Sequence, residues 1–139
     1  MKSNWGWKSW GWPTLAVAAW IGISEWAFHW VLLEDMYAQT AHLWRTHTEM
    51  MDMVWLMTGS LLLFSAWMVW LYPKGYEGKS KWEGARFGLW MGILFTAMVA
   101  GLYTILPIPA ALAWAWAVGI LIECIGAGTI IGWTWKPAK

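Results

Sequence analysis

Three side chains of this sequence could do chemistry at membrane depth: Glu25, His29 and Glu123. Glu123 lies inside the last long apolar run, residues 114–135, which reads W-A-W-A-V-G-I-L-I-E-C-I-G-A-G-T-I-I-G-W-T-W. A charge near the centre of a bilayer costs on the order of 3 kcal/mol or more, so this acid needs a reason or a partner. Glu25 is the candidate partner. It follows Pro13, where the first apolar run begins, by twelve residues, and Glu123 precedes Trp135 by the same number. At 1.5 Å per residue, both acids fall roughly 18 Å from the same side. His29 is one turn further along. Two carboxyl groups in a low dielectric should not both ionise. An imidazole beside them can share the proton or hold a carboxylate. That is the raw material of a proton relay, a cation site or an ion-coupled carrier. The same residues would serve equally as a neutral, hydrogen-bonded clamp between helices or as a contact to another subunit.

A second constellation is His42, His47 and Glu49, followed by Met50, Met51 and Met53. Thioethers with imidazoles suit copper, and histidine with carboxylate suits zinc. No fixed ligand spacing is met, and solvated histidines with gap-filling methionines account for the same residues. The sequence requires no cofactor. One histidine within a span argues against a bis-histidine haem in a single chain. The single cysteine, Cys124, excludes an intramolecular disulfide and CxxC redox chemistry. No catalytic motif is present, so the expectation is a protein that is not an enzyme. Trp26, Trp67, Trp90 and Trp116 lie inside the apolar runs, where they could pack against lipid, a partner helix, a pigment or a quinone.

These residues are set in an unusual composition. Of 139 residues, 60% are hydrophobic and 12% charged. The latter is half the soluble average of roughly 25%. Seventeen are tryptophan, a residue favoured where an apolar ring and an N–H donor both find suitable surroundings at a membrane surface. A net charge of +1 gives no case for binding nucleic acid. The first apolar run is too long for a signal-peptide core and no small-residue cleavage site follows it.

Four spans follow, at about residues 13–33, 53–72, 87–106 and 110–135. Each is long enough for the hydrocarbon core. They predict an all-α, membrane-embedded antiparallel four-helix bundle forming a single domain. Ala18, Gly22, Glu25 and His29 recur at intervals of four, three and four and so share one helical face, aiming the two polar residues at a neighbouring helix. Gly84, Gly88 and Gly92 form a double GxxxG pattern, and Gly119, Gly126, Gly128 and Gly132 mark close packing in the last span. Residues 37–47, in the first connection, could form a short interfacial helix. The N-terminal segment, the 73–86 loop and the tail hold eight of the nine Lys and Arg. By the positive-inside rule both termini are cytoplasmic, in a bacterial inner membrane. Trp12, Trp20, Gly22 and Ile23 recur seventy positions later as Trp82, Trp90, Gly92 and Ile93. This faint repeat is what two tandem helical hairpins would leave.

The run E-G-A-R-F-G-L-W-M-G at 83–92, the P-I-P turn at 107–109 and the final G-x-G-x-x-x-G of Gly126, Gly128 and Gly132 resemble a pattern in small four-span bacterial inner-membrane proteins of unassigned function. The resemblance covers about residues 20–133 and implies the same topology without an activity. The size and Glu25 in the first span are also similar to the small multidrug resistance transporters, as an analogy. The leading expectation is a non-catalytic subunit or scaffold that packs in the bilayer against another membrane protein or its own copies. The alternatives are an oligomeric proton- or ion-coupled carrier using Glu25, His29 and Glu123, and an outer-side copper or zinc binder.

Overall fold

The computed structural model describes residues 7–80 and 82–135. Lys2, Lys81, Lys136 and Lys139, four of the charges that set the expected orientation, lie outside the described residues. Those described form a helical bundle with four helices long and apolar enough to cross a membrane. The chain is therefore read as a multi-pass membrane protein.

The first long helix is α1 (Trp12–Glu25), preceded by a π-helical turn, Trp7–Gly11, and continued by a second, Trp26–Leu32. Short helices α2 (Glu34–Gln39) and α3 (His47–Asp52) lead to α4 (Val54–Leu71). A polar loop precedes α5 (Glu83–Tyr103), and the P-I-P turn precedes α6 (Ala110–Thr134). Three boundaries differ from the sequence reading. Pro13 does not start the first span; helical structure begins before it, and its missing N–H falls where the π turn hands over to α1. Pro73 does not end the second, because it fits the 3₁₀ turn Tyr72–Lys74 that prolongs α4. The third begins at Glu83, not Phe87. Residues 37–47 are split among the end of α2, the 3₁₀ turn Ala41–Leu43 and the start of α3.

Helix α6 is the centre of the bundle. It packs on α5 along one side and on α1 along another, and α4 packs on α1. The α5–α6 contact is backbone against backbone. A Cβ on Gly84 would lie 2.2 Å from the carbonyl oxygen of Gly128, and one on Gly88 would lie 2.1 Å from that of Cys124. Gly132 stands beside Gly84, and Gly92 sits against Leu121 and Cys124. No side chain longer than hydrogen fits between these helices, which is the close approach that small-residue spacing permits. A core of Val17, Ile21, Met68, Val69, Tyr72, Ala127 and Ile131 fills the end nearer the termini. Leu33, Ile108, Leu112 and Ala113 fill the opposite end, beneath the 34–52 connection.

The α1–α4 hairpin is looser. Residues 54–60, the first two turns of α4, are exposed throughout. Gly22 meets the side chain of Leu61 at an ordinary 3.5 Å, and Gly59 has nothing within 4 Å. Gly88→Val should therefore destabilise the bundle by roughly 3 kcal/mol, at the upper end of overpacking costs. Gly59→Ala should be neutral or stabilise by up to about 1 kcal/mol through helix propensity. Unfolding in mixed micelles, followed by tryptophan fluorescence, measures both; equal effects would remove the glycine crossing as the fold's main constraint.

Candidate functional site

The site lies between α1, its π-helical continuation, α2 and α6. In the π segment, Leu33 N–H donates to the Phe28 carbonyl five residues back, at 3.0 Å. This wider turn ends the first long helix, and π turns of this kind recur at functional sites. Tyr37 N–H then bonds the Leu33 carbonyl at 3.0 Å, so α2 folds back at once. The Tyr37 ring is thereby brought 5.7 Å from that of His29.

A continuous polar chain results. Glu25 Oε2 is 3.3 Å from His29 Nε2, a spacing of one helical turn. His29 Nδ1 is 2.5 Å from the Tyr37 hydroxyl. Trp116 Nε1, from α6, donates to the same hydroxyl at 2.7 Å. An indole N–H is a donor only, so the Tyr37 oxygen accepts from Trp116. Its own hydrogen is free to go to His29 Nδ1, which leaves Nε2–H to donate to the Glu25 carboxylate. This is the assignment that satisfies every group of the chain with a neutral imidazole. Trp44 closes the aromatic wall: its ring is 5.5 Å from Tyr37 and 5.9 Å from Trp116, and its N–H donates to Thr40 Oγ1 at 2.8 Å.

Glu123 stands at the other end of the chain. It is 8% exposed, and Ser24 and Glu25 are the polar neighbours of its carboxyl. Its Oε1 has no hydrogen-bond partner among the described residues. The Glu123 backbone carbonyl accepts from Trp20 Nε1 at 3.0 Å. Gly126 makes that possible, since a Cβ there would lie 2.4 Å from the Trp20 ring. Gly119 admits the Phe28 ring in the same way. Ala18 is buried, but the Glu25 side chain is half exposed, at 50%, rather than enclosed by the bundle. The shared face of Ala18, Gly22, Glu25 and His29 is thus divided. Gly22 looks to α4, the two polar residues look along the α1–α6 groove, and one side of Glu25 is open.

The second constellation is dispersed. His42, Met50 and Met51 are exposed, Met53 is half-buried, and the His47 ring meets Trp30 edge-on at 5.9 Å. Glu49 is committed to a capping box, its Oε2 accepting from both Thr46 N–H and Thr46 Oγ1 at 2.8 Å. Among the described residues, no three of His, Cys, Asp and Glu are grouped to hold a metal ion.

Two residues outside the sequence-based site are part of it. Tyr37 and Trp116 carry the chain to α2 and α6. A third acid, Glu83, does structural work elsewhere. It is buried, and its carboxylate accepts from the backbone N–H groups of Glu77, Gly78, Lys79 and Ser80, pinning the loop to the start of α5. Hollows of about 320 and 300 Å³ open beside that loop, and neither is lined by Glu25, His29 or Glu123. No family model, curated protein or solved structure matches the chain.

Burial pushes the Tyr37 hydroxyl above the ordinary tyrosine range; the Trp116 N–H opposes this and the charge of Glu25 adds to it. A raised folded value means that Tyr37 contributes its full stability below the unfolded pKa of about 10. The contribution is lost as pH rises through the folded value. Ultraviolet titration of the folded protein should show late phenolate ionisation, and Tyr37→Phe should lower its amplitude by one tyrosine. At Glu49 the sign is opposite, because the Thr46 hydroxyl and then its backbone N–H hold the carboxylate below its usual range. The cap is complete above the ordinary carboxylate pKa and is lost as pH falls through the folded value. Protection of the α3 amides against hydrogen exchange, relative to their intrinsic rates, should fall in acid and become independent of pH in that range in Glu49→Gln.

Proposed function

We propose that this chain is a non-catalytic integral subunit of a bacterial inner membrane, with both termini cytoplasmic and the 34–52 connection outside. The observation that carries this reading is the exposure of Glu25. Ionisable side chains inside spans face a bundle interior, a partner or water, because hydrocarbon leaves them unsolvated. Glu25 lies within the span Ser9–Leu32, yet half of its side chain is open at the surface of the bundle. Covering it with a helix from another membrane protein or a second copy of this chain removes that cost. Two further features favour the same face-to-face use. Residues 54–60 of α4 are all exposed, and Trp26, next to Glu25, is 62% exposed.

A photo-crosslinking side chain placed at Trp26 tests the reading in native membranes. A discrete protein adduct is expected, to itself or to one partner, with the chain migrating as a complex in mild detergent. Lipid adducts alone, from a chain that migrates as a monomer, would overturn it.

A further inference from the structure

We propose that Tyr37, His29 and Glu25 form a proton path that leads from the 34–52 connection to Glu123, which takes up the proton. This goes beyond the subunit reading and does not depend on it. The case rests on an ordered set of groups and on an end point that lacks a donor. Tyr37, on α2 just beyond the first span, is part-exposed and can meet water. Its oxygen spends one lone pair on the Trp116 N–H and keeps the other for an incoming donor. His29 bridges the next step with one ring nitrogen on each side, at 2.5 Å from Tyr37 and 3.3 Å from Glu25. Glu25 adjoins Glu123, whose Oε1 is buried and has no donor among the described residues. That oxygen is left open to a proton.

The transfer balances at each step. A hydronium ion gives a proton to the Tyr37 oxygen as the hydroxyl proton moves to His29 Nδ1. From an alkaline start, with Glu123 ionised, the Nε2 proton moves to the Glu25 carboxylate and from there to the Glu123 carboxylate. Tyr37 and Glu25 return to their starting states. The imidazole ends as its other tautomer and is reset when the ring turns over. Few other ionisable groups compete. Around Glu123, α1 brings Ser24 and Glu25, and Cys124 follows on α6. α4 has no ionisable side chain, and those of α5 are Glu83 and Arg86 at one end and Tyr103 at the other. On the path itself, Asp35 and Glu34 flank the entry on α2. They are the charges that would draw a cation to it.

The test uses the full chain in lipid vesicles, with time-resolved infrared spectroscopy after a photoreleased proton jump. The protonated carboxyl band of Glu123, assigned by its loss in Glu123→Gln, should rise with the jump. Tyr37→Phe should slow that rise by about a hundredfold, the lower range for losing a positioned proton-transfer group. Its final amplitude should not change. If Tyr37→Phe fails to fold, His29→Asn takes its place: it keeps a hydrogen-bonding group toward Tyr37 but cannot relay, and the same slowing is expected. A Glu123 band that never responds to the jump would overturn the proposal. So would one that rises equally fast in wild type and in the folded variant.

Discussion

The fold depends on how closely α5 and α6 approach. Their backbones meet at Gly84, Gly88 and Gly128, where even a methyl group would collide with a carbonyl oxygen, and Gly132 stands close beside Gly84. Contact at that distance leaves α6 no freedom to rotate. Cys124 is held with its carbonyl against Gly88. Successive residues of a helix are turned by about 100°, so fixing Cys124 on α5 turns Glu123 away from α5 and toward α1. The direction of the acid is thus a consequence of glycines that never touch it. The opposite side of α6 repeats the device with rings in place of backbone. Gly126 and Gly119 leave notches that Trp20 and Phe28 fill, and these set the distance at which Ser24 and Glu25 pass the carboxyl.

From that placement the polar chain follows only because the first long helix changes its pitch. An α-helical continuation past Glu25 would keep the i to i+4 spacing of Glu25 and His29 but would carry the chain straight on. The π segment ends the helix at Leu33 and returns α2 over it. Tyr37 can then reach both His29 from one strand of the turn and Trp116 from α6. One hydroxyl links three elements, and the rings of Trp44 and Trp116 flank it on one side. The burial that raises the Tyr37 ionisation also keeps its hydrogen in place for donation to His29.

Much of this was legible in the sequence, and the limits have physical causes. Apolar runs of about twenty residues can satisfy their backbone in a membrane only as helices, so four long helices could be read directly. Glycines at intervals of four marked the α5–α6 seam. Counting inward from Pro13 and Trp135 set Glu25 and Glu123 at one level, and the structure places them side by side. The count says nothing of exposure, which depends on where α4 stops covering α1, so the open side of Glu25 was not visible. Tyr37 and Trp116 are 79 positions apart, and their meeting depends on the angle of a turn that no residue type announces. Glu83 gave a signal that was not used. An acid at the first position of a helix, just after a glycine-containing loop, is where a carboxylate meets free N–H groups.

Along the faint repeat the two hairpins differ. Gly22 and Gly92 occupy matching positions, but Gly92 is pressed against Leu121 and Cys124 within about 3.3 Å while Gly22 has a single leucine methyl at 3.5 Å. Trp20 turns inward and donates to the Glu123 carbonyl; its counterpart Trp90 is 64% exposed. The second hairpin has the flanking glycines Gly84 and Gly88 and packs backbone against backbone. The first has alanine and threonine at the equivalent positions, Thr14 and Ala18, and cannot close on α4 to the same distance. The room for a ring, a carboxyl group and an imidazole lies between α1 and α6, where Gly126 and Gly119 admit Trp20 and Phe28. A polar chain of this kind needs such looseness on one side and a fixed acid on the other. The loose packing of α4 on α1 leaves Glu25 half exposed and the start of α4 uncovered, so the surface on which a partner would sit adjoins the polar chain.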